Sequence, residues 1–344
     1  MTAETLKQLA HDCGFELAGI AAAQPSGDFD RFNTWRELGM AGEMTYLTGH
    51  RGDKRGDPRA LLPTARSILC VGKLYHSDHP LSTELEQGGR AWISRYAWGS
   101  DYHEVLRRQL EDLVERISAR YDQPFEWKIC VDTAPLLERS YARDAGLGWI
   151  GKNTCLINQQ QGSWFFLGEL LLSIPLSPDM PPPDRCGSCR RCIDACPTTA
   201  LVPDGAGRFR LDSRLCISYL TIEKRGDVPP DLHSGIGPHV FGCDICQDVC
   251  PWNRRAPHTE EPEFQPTNSA PRLDDLAGLT ERQFRDRFRH SPVWRAKYTG
   301  FLRNVAIALG NLASSEATAH LKRLAAHPDP TVAAAARAAL AQRS

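Results

Sequence analysis

The sequence lacks the long apolar runs that cross membranes. No segment reaches about 18 consecutive apolar residues, the length that a transmembrane helix needs. The first residues, MTAETLKQLAHDCGFELAGI, also lack a basic stretch followed by an apolar core, which is the pattern of a secretion signal. They predict instead an amphipathic helix that ends at Gly14. We therefore expect a cytoplasmic protein with no membrane contact.

The sequence also has no excess of positive or negative charge, because its 41 Lys and Arg residues nearly balance its 42 Asp and Glu residues. This balance does not by itself indicate nucleic-acid binding. Residues 281–303 depart from it, since they hold only Glu281 and Asp286 as acidic residues. The basic residues of this segment are Arg282, Arg285, Arg287, Arg289, Arg295, Lys297 and Arg303. Such a segment can contact phosphates, or it can be the solvated face of a helix.

Cysteine, by contrast, is abundant, with 12 in the chain. Without a secretion signal, this number favours reduced thiols and metal ligation over disulfides. Cys186, Cys189, Cys192 and Cys196 precede Pro197, and the spacing C-x2-C-x2-C-x3-C-P is the run that binds a [4Fe–4S] cluster in bacterial ferredoxins. Four further cysteines stand alone and are predicted to be ordinary buried thiols. They are Cys13, Cys70, Cys130 and Cys155.

A second run, C-x2-C-x3-C-P, lies downstream at Cys243, Cys246 and Cys250. In two-cluster ferredoxins the last cysteine of the first run ligates the other cluster, and Cys216 is the only cysteine between the two runs. We therefore predict one cluster on Cys186, Cys189, Cys192 and Cys250, and a second on Cys196, Cys216, Cys243 and Cys246. A pair of structural zinc sites is the alternative, because C-x2-C pairs also bind Zn²⁺.

The order of the segments predicts three units. Residues 1–175 alternate strand-like stretches (67–75, 126–133, 154–159 and 164–173) with helical ones such as 103–121, which indicates an α/β or α+β domain. A proline-rich linker at 173–185 leads into an iron–sulfur module over 176–255. After a connector at 255–271, residues 272–344 are predicted to be helical.

The end of the helical tail carries a repeat-like pattern. Residues 329–340 read D-P-x-V-x-x-A-A-x-x-A-L, which is typical of a HEAT-like helical repeat. A plain helical cap is the alternative. With fewer than three repeats, either unit has to pack on the rest of the protein to be stable.

Asp132 is the candidate for acid–base chemistry, since it follows a predicted strand. Its neighbours Cys130 and Val131 are apolar, so we expect a partly desolvated carboxyl with a raised pKa, as a proton donor near neutral pH requires. The alternative is that Asp132 caps the next helix. The glycines of residues 145–153 permit close backbone approach to a ligand, but equally a loop.

Four motifs, in this order around the two cysteine runs, resemble those of the epoxyqueuosine reductase family. They are SRYAWGSDYHEVLR (94–107), VDTAPLLERSYARDAGLGWIGKNT (131–154), CISYLTIEKRG (216–226) and GCDICQDVCPWN (242–253). The resemblance spans about residues 5–340. It implies an enzyme that reduces epoxyqueuosine to queuosine at the wobble position of tRNA, the last step of queuosine biosynthesis.

The resemblance also implies an architecture and cofactors. We expect an N-terminal cobalamin-binding domain related to reductive dehalogenases, a ferredoxin-like module with two [4Fe–4S] clusters, and a HEAT-like helical domain. Asp132 matches the family's proton donor, and Arg55, Arg95 and Ser218 fall, with Asp132, where the family lines its cobalamin pocket. The nearest approach to the cobalt-ligating motif D-x-H-x-x-G is DLHSGIG (231–237), with Ile236 in place of glycine, so no histidine ligand is expected.

The implied partners are the anticodon region of tRNA and an external low-potential electron donor, with the enzyme acting as a monomer. With this substrate, the basic residues of 281–303 are expected to contact RNA. A reductive dehalogenase-like cobalamin reductase of a small molecule would share the cofactors but would not need that segment. A polyferredoxin-type electron-transfer protein would bind neither cobalamin nor tRNA, and a flavin reductase is disfavoured because no phosphate-binding run is found.

Overall fold

The structure is a computed structural model that describes residues 1–85 and 88–343. Glu86 and Gln87 of the predicted 1–175 unit and Ser344 of the predicted 272–344 unit lie outside the described residues. The strands are β1 (Leu17–Ala22), β2 (Ser67–Leu74), β3 (Trp92–Ile93), β4 (Trp127–Cys130), β5 (Trp149–Ile150), β6 (Leu156–Ile157), β7 (Phe165–Leu172), β8 (Leu201–Pro203), β9 (Phe209–Leu211) and β10 (His239–Phe241).

Helices connect and cover these strands. They are α1 (Ala3–Asp12), α2 (Phe29–Glu37), α3 (Thr45–Thr48), α4 (His50–Asp53), α5 (Tyr102–Ser118), α6 (Glu138–Asp144), α7 (Arg191–Asp194), α8 (Ile217–Ile222), α9 (His233–Ile236), α10 (Ile245–Asp248), α11 (Leu273–Ala277), α12 (Glu281–Phe288), α13 (Lys297–Gly310), α14 (Ser315–Leu324) and α15 (Pro330–Ala341). Among the described residues, no helix is long and apolar enough to cross a membrane.

The N-terminal unit is built on a four-stranded sheet with the order β1-β2-β7-β4, in which all neighbours are antiparallel. Every residue of β2 is buried, as expected for a central strand covered on both faces. Alternate residues of β2 and β7 pack against α1 and α5 on one face and against α6 on the other. The unit is therefore α+β with an antiparallel sheet.

The predicted strand at 154–159 is reduced to the two residues of β6, which pair with β5 outside the main sheet. The neighbouring Asn158 closes a tight turn with Gly162 that ends the pairing. The other three predicted strands and the predicted helix at 103–121 are present with slightly different ends, as β2, β4, β7 and α5. Gly14 follows α1 with a φ of 90°, a conformation that glycine readily adopts.

One hydrophobic core connects the iron–sulfur module with the helical tail. It joins β3 of the N-terminal segment, α8 and β10 of the module, and α11 to α15 of the tail. β10 also pairs with β3 in parallel. The predicted unit boundaries therefore do not separate independent cores, and we keep these boundaries as predictions.

Residues 272–343 are largely helical, and α13, α14 and α15 pack on one another. The Asp329 side chain accepts hydrogen bonds from the backbone N–H groups of Thr331 and Val332, and Pro330 occupies the first turn, so the D-P pair starts α15. The predicted helical nature of the tail is thus confirmed. Whether these helices form a HEAT-like repeat stays a prediction.

Candidate active site

Asp132 lies two residues beyond β4, in a loop whose backbone is hydrogen-bonded by three side chains. Its backbone has a φ of 51°, a left-handed conformation that is uncommon for residues other than glycine. Its N–H donates to Glu138 Oε1 at 2.5 Å, Arg51 donates to the Thr133 carbonyl at 2.6 Å, and Arg55 donates to the Leu136 carbonyl at 2.6 Å. These bonds hold the loop in a conformation that the chain would otherwise avoid.

The carboxyl of Asp132 pairs with His103, at the first turn of α5. His103 Nε2 lies 3.3 Å from Asp132 Oδ2, and His103 Nδ1 lies 2.7 Å from Asp101 Oδ1. Asp101 also caps α5 by accepting the backbone N–H of His103. Burial alone would lower the pKa of His103, but the hydrogen bonds to Asp101 and Asp132 outweigh it and raise that pKa to about 9.

Burial favours the neutral form of Asp132, but neighbouring groups have a larger and opposite effect on its pKa. The hydrogen bond and positive charge of His103, a hydrogen bond with Tyr102 and the charge of Arg295 together lower the pKa of Asp132. The predicted raised pKa is therefore wrong for this structure, and at neutral pH the proton of the pair resides on His103. The helix-cap alternative is also wrong, because the N-cap residue of α6 is Leu137 and no side chain caps this helix.

A cleft of about 350 Å³ opens near Asp132. It is lined by Glu43, Met44, Tyr46, Glu223, Arg225, Arg295 and Lys297. Asp132 is close enough to act electrostatically on both Tyr46 and Arg295, and Arg295 is held by Glu223, whose Oε1 accepts from Arg295 Nε at 2.5 Å. Because 49% of the Asp132 side chain is exposed, a ligand in this region can reach its carboxyl.

Arg55 belongs to the Asp132 region. Its guanidinium is buried, and its charge acts on Glu138 and Asp132. One nitrogen donates to the Leu136 carbonyl, whereas Nε has no hydrogen-bond partner. A buried donor without a partner is unusual in proteins and is a position where a bound ligand can supply an acceptor.

Arg95 lies between the N-terminal segment and the iron–sulfur module. It is 2% exposed, packs on Trp98 with its guanidinium 4.5 Å from the ring centroid, and donates to the carbonyls of Ser77, His79 and Pro80. Its backbone N–H donates to Asp244, the neighbour of Cys243. Most donors of this guanidinium are thus engaged with the protein, and only Nε lacks a partner.

The structure brings Cys186, Cys189, Cys192 and Cys250 together. Burial raises the pKa of Cys192 to about 11, and the charges of the other three thiols contribute to that rise. Burial likewise raises the pKa of Cys250 to about 11, with contributions from Cys186 and Cys189. Cys250 therefore lies beside the first run although more than 50 residues separate them in sequence.

The remaining cysteines of the two runs form a second group with Cys216. Burial raises the pKa of Cys243, with contributions from Cys216 and Cys196, and Cys243 and Cys216 contribute to the raised pKa of Cys246. Ser218 is beside this group, because its backbone and side chain both hydrogen-bond the Cys216 thiol. Within the described residues, no three His, Cys, Asp or Glu side chains converge as they would around a single metal ion.

The four solitary cysteines are not alike. Cys13, Cys70 and Cys130 are buried, as predicted. Cys155 is only partly buried, and a hydrogen bond with the Cys246 thiol lowers its pKa. The prediction of an ordinary buried thiol is therefore wrong for Cys155, which lies against the second cysteine group.

Three groups around Asp132 are not among the residues predicted from the sequence. They are His103, Glu138 and Glu169. The spacing Asp101-x-His103 at a helix start could have indicated the first, and a lone glutamate inside the apolar strand FFLGELLL could have indicated Glu169. Their convergence on Asp132 is a tertiary property.

The basic segment divides into surface and buried residues. Phe284 and Phe288 of α12 face the core, so the basic residues of this helix point outward. Arg303 instead is 1% exposed and donates to the carbonyls of Leu220, Lys224 and Gly226. The exposed residues are Arg282, Arg285, Arg287, Arg289 and Lys297. Counting Arg303 among candidate RNA contacts is therefore wrong.

His233, in the segment closest to a cobalt-ligating motif, is buried in α9. Its Nε2 lies 3.1 Å from the Val228 carbonyl, and burial lowers its pKa. One imidazole nitrogen is thus engaged with the backbone, whereas Nδ1 has no hydrogen-bond partner among the described residues.

Comparison with known proteins identifies the family to which the chain belongs. The family model described as epoxyqueuosine reductase QueG, DUF1730, matches residues 55–133, and the one described as 4Fe-4S double cluster binding domain matches 185–253. An epoxyqueuosine reductase of Xanthomonas campestris pv. campestris is 44% identical over 318 residues, which cover 91% of this chain and 88% of the relative. The chain belongs to the epoxyqueuosine reductase family. The predicted resemblance is confirmed.

Other epoxyqueuosine reductases are similar over comparable lengths. The Pseudomonas aeruginosa epoxyqueuosine reductase is 43% identical, covering 91% of this chain and 86% of its own. A crystal structure of epoxyqueuosine reductase with a tRNA-Tyr epoxyqueuosine-modified stem loop has a TM-score of 0.87 and 32% identity, covering 98% and 89% of the two chains. A Bacillus subtilis epoxyqueuosine reductase, with an aspartate catalytic loop swung out of the active site, has a TM-score of 0.88 and 30% identity over the same shares.

Proposed function

We propose that this chain reduces epoxyqueuosine to queuosine in tRNA. The observation that carries the proposal is its similarity, over 98% of its length, to an epoxyqueuosine reductase crystallised with an epoxyqueuosine-modified stem loop. The small-molecule cobalamin reductase and the electron-transfer protein are not favoured, because relatives over 40% identical are epoxyqueuosine reductases.

Two [4Fe–4S] clusters fit the residues present. The matched double-cluster family and the two groups of four cysteines support the ligand sets predicted from spacing. The second group lies beside Ser218, a predicted cobalamin contact. We infer that electrons from an external donor enter at the first cluster and leave from the second.

The residues around Asp132 also fit a cobalamin cofactor. The unpartnered Nε atoms of the buried Arg55 and Arg95 can each donate to a ligand, and Ser218 lies beside the second cysteine group. These three residues and Asp132 would hold the cofactor. When bound there, cobalamin would supply low-potential electrons to the epoxide.

Asp132 and His103 would supply a proton to the departing oxygen, which otherwise leaves as a poor alkoxide. Asp132 is half exposed, and burial already acts strongly against its ionised form. Covering the cleft with the tRNA anticodon region would increase that effect, so the carboxyl would take the proton from His103 and pass it to the oxygen. Bases that undergo such chemistry are swung out of their stack.

The exposed arginines of α12 and Lys297 would contact the tRNA backbone. Lys297 and Arg295 also line the cleft near Asp132, so the basic surface continues from α12 to the candidate site. We further infer that the enzyme acts in the cytoplasm as a monomer.

The test uses the anaerobically reconstituted enzyme, a chemical reductant and tRNA that carries epoxyqueuosine. Digestion and mass spectrometry of the nucleosides should show queuosine, which is lighter than epoxyqueuosine by one oxygen atom. Transfer RNA without the modified base is the control. Unchanged epoxyqueuosine with an enzyme that holds its iron and cobalt would overturn the proposal.

A further inference from the structure

A pair of carboxyl groups, one buried and one partly buried, lies beneath the loop that carries Asp132. Glu169 of β7 is 0% exposed and lies in register with Cys70 of β2 and Cys130 of β4. Leu167 and Leu171, on the same face of β7, pack in the core under α6. Glu138, the first residue of α6, contacts Glu169 and accepts the backbone N–H of Asp132. The pair thus connects the core of the sheet to the Asp132 loop.

The surroundings of this pair require that it holds a proton. Neither oxygen of Glu169 has a donor within reach among the described residues. Two ionised carboxylates can only accept, so the contact between Glu169 and Glu138 becomes a hydrogen bond only when one of them is protonated. Burial, followed by the charge of Glu138, raises the pKa of Glu169 well above its usual range, and burial with the charge of Asp132 raises the pKa of Glu138 to about 8.

The reaction under Proposed function, on which this inference rests, needs more than one proton. Reducing the epoxide to an alkene breaks both C–O bonds and converts the C–C single bond of the epoxide into a double bond. The oxygen leaves as water. The step therefore takes up two electrons, from the external donor through the clusters, and two protons. The Asp132–His103 pair carries one proton at neutral pH, and tRNA over the cleft would limit the supply of the other from solvent.

We propose that Glu138 and Glu169 store the second proton and pass it to Asp132. Both act through Asp132 and do not touch the substrate. Arg55 favours release of the proton from Glu138, because the positive charge of Arg55 stabilises the ionised carboxylate. Glu169 lies deeper and retains its proton longer. The other titratable groups that face the pair are Asp132, Tyr102, Cys70 and Cys130.

The test replaces each member of the pair by its amide. Glu138→Gln keeps a carbonyl to accept the Asp132 N–H, and Glu169→Gln keeps the volume of the buried side chain. We expect kcat to fall about 10- to 100-fold, less than for loss of a direct proton donor, with the KM for tRNA unchanged. The wild-type kcat should decline above about pH 8 as Glu138 loses its proton, whereas in Glu138→Gln the decline should move to about pH 9, where His103 loses its proton. Glu111→Gln, on the exposed side of α5, is the matched control.

An infrared measurement separates proton storage from a structural role. The loaded wild-type enzyme without tRNA should show a protonated-carboxyl band at pH 7 that weakens in Glu169→Gln and persists in Glu111→Gln. Absence of the band, or unchanged kcat and pH profile in both pair variants with intact clusters, would overturn the proposal. If Glu169→Gln does not fold, Glu138→Gln decides it. A wild-type enzyme that forms no queuosine overturns the proposed function instead, and the band then decides on proton storage alone.

Discussion

The cysteine module and the Asp132 region are constructed in opposite ways. The module takes its candidate ligands from two short runs and Cys216, and each group gathers around local turns such as α7 and α10. The Asp132 region collects side chains from α5, the loop before α6, the segment around Arg55 and the tail at Arg295. The difference teaches that the spacing of short runs identifies candidate metal ligands, whereas the protonation of a carboxyl depends on residues far apart in sequence.

The strongest test of the module is Cys216→Ser. If Cys216 completes only the second group, iron should fall from about eight to about four per chain and turnover should be lost. Cys13→Ser, at a buried thiol outside both groups, should leave the iron content unchanged. Metal analysis with electron paramagnetic resonance checks this, and two intact cubic clusters in Cys216→Ser would refute the predicted ligand sets.

Asp132→Asn tests the other region without disturbing the module. Removing a direct proton donor should lower kcat about 10²- to 10⁴-fold, while iron and cobalt contents remain those of the wild type. Single-turnover assays on epoxyqueuosine-containing tRNA measure this effect. Wild-type turnover in this variant would exclude Asp132 as the donor.

The exposed face of α12 should contribute to tRNA binding through its charge alone. Replacing Arg282, Arg285 and Arg289 by alanine should weaken tRNA binding and reduce the slope of log affinity against log salt by up to about one per arginine that contacts a phosphate. Arg120→Ala, at an exposed arginine just beyond α5, is the control. Filter-binding titrations over a range of salt give the slopes, and equal slopes would mean that this face is only solvated.

On stability, His103→Gln should have a small effect that depends on pH. The pKa of His103 is about 9 in the fold and about 6.5 in an unfolded chain, so its stabilising contribution is complete below about pH 6.5 and disappears as pH rises through 9. The difference in melting temperature between wild type and His103→Gln should therefore be larger at pH 6 than at pH 10. His50→Gln, at an exposed histidine, should show no such trend, and an equal difference at both pH values would contradict the ion pair.

Part of the candidate site follows from sequence because its determinants are local. The cysteine spacings, the motif around Asp132 and the amphipathic period of α5 each lie within a few turns of chain, and such local patterns identify the candidate residues. The family could be predicted on the same basis. The helical tail was also predictable, since its apolar period and the Asp329-Pro330 start are local signals.

Tertiary structure decided the properties that depend on long-range neighbours. The sheet is antiparallel, so the usual placement of functional groups at one edge of a parallel sheet does not explain the position of Asp132. Asp132 has a lowered pKa because α5 brings His103 to it, and Cys155 meets Cys246 across 90 residues of chain. Arg303 is buried while the arginines of α12 are exposed, although charge alone makes them equivalent in sequence. Sequence specified which chemical groups are present, and packing specified their charge state, because desolvation and Coulomb interactions depend on distance in space.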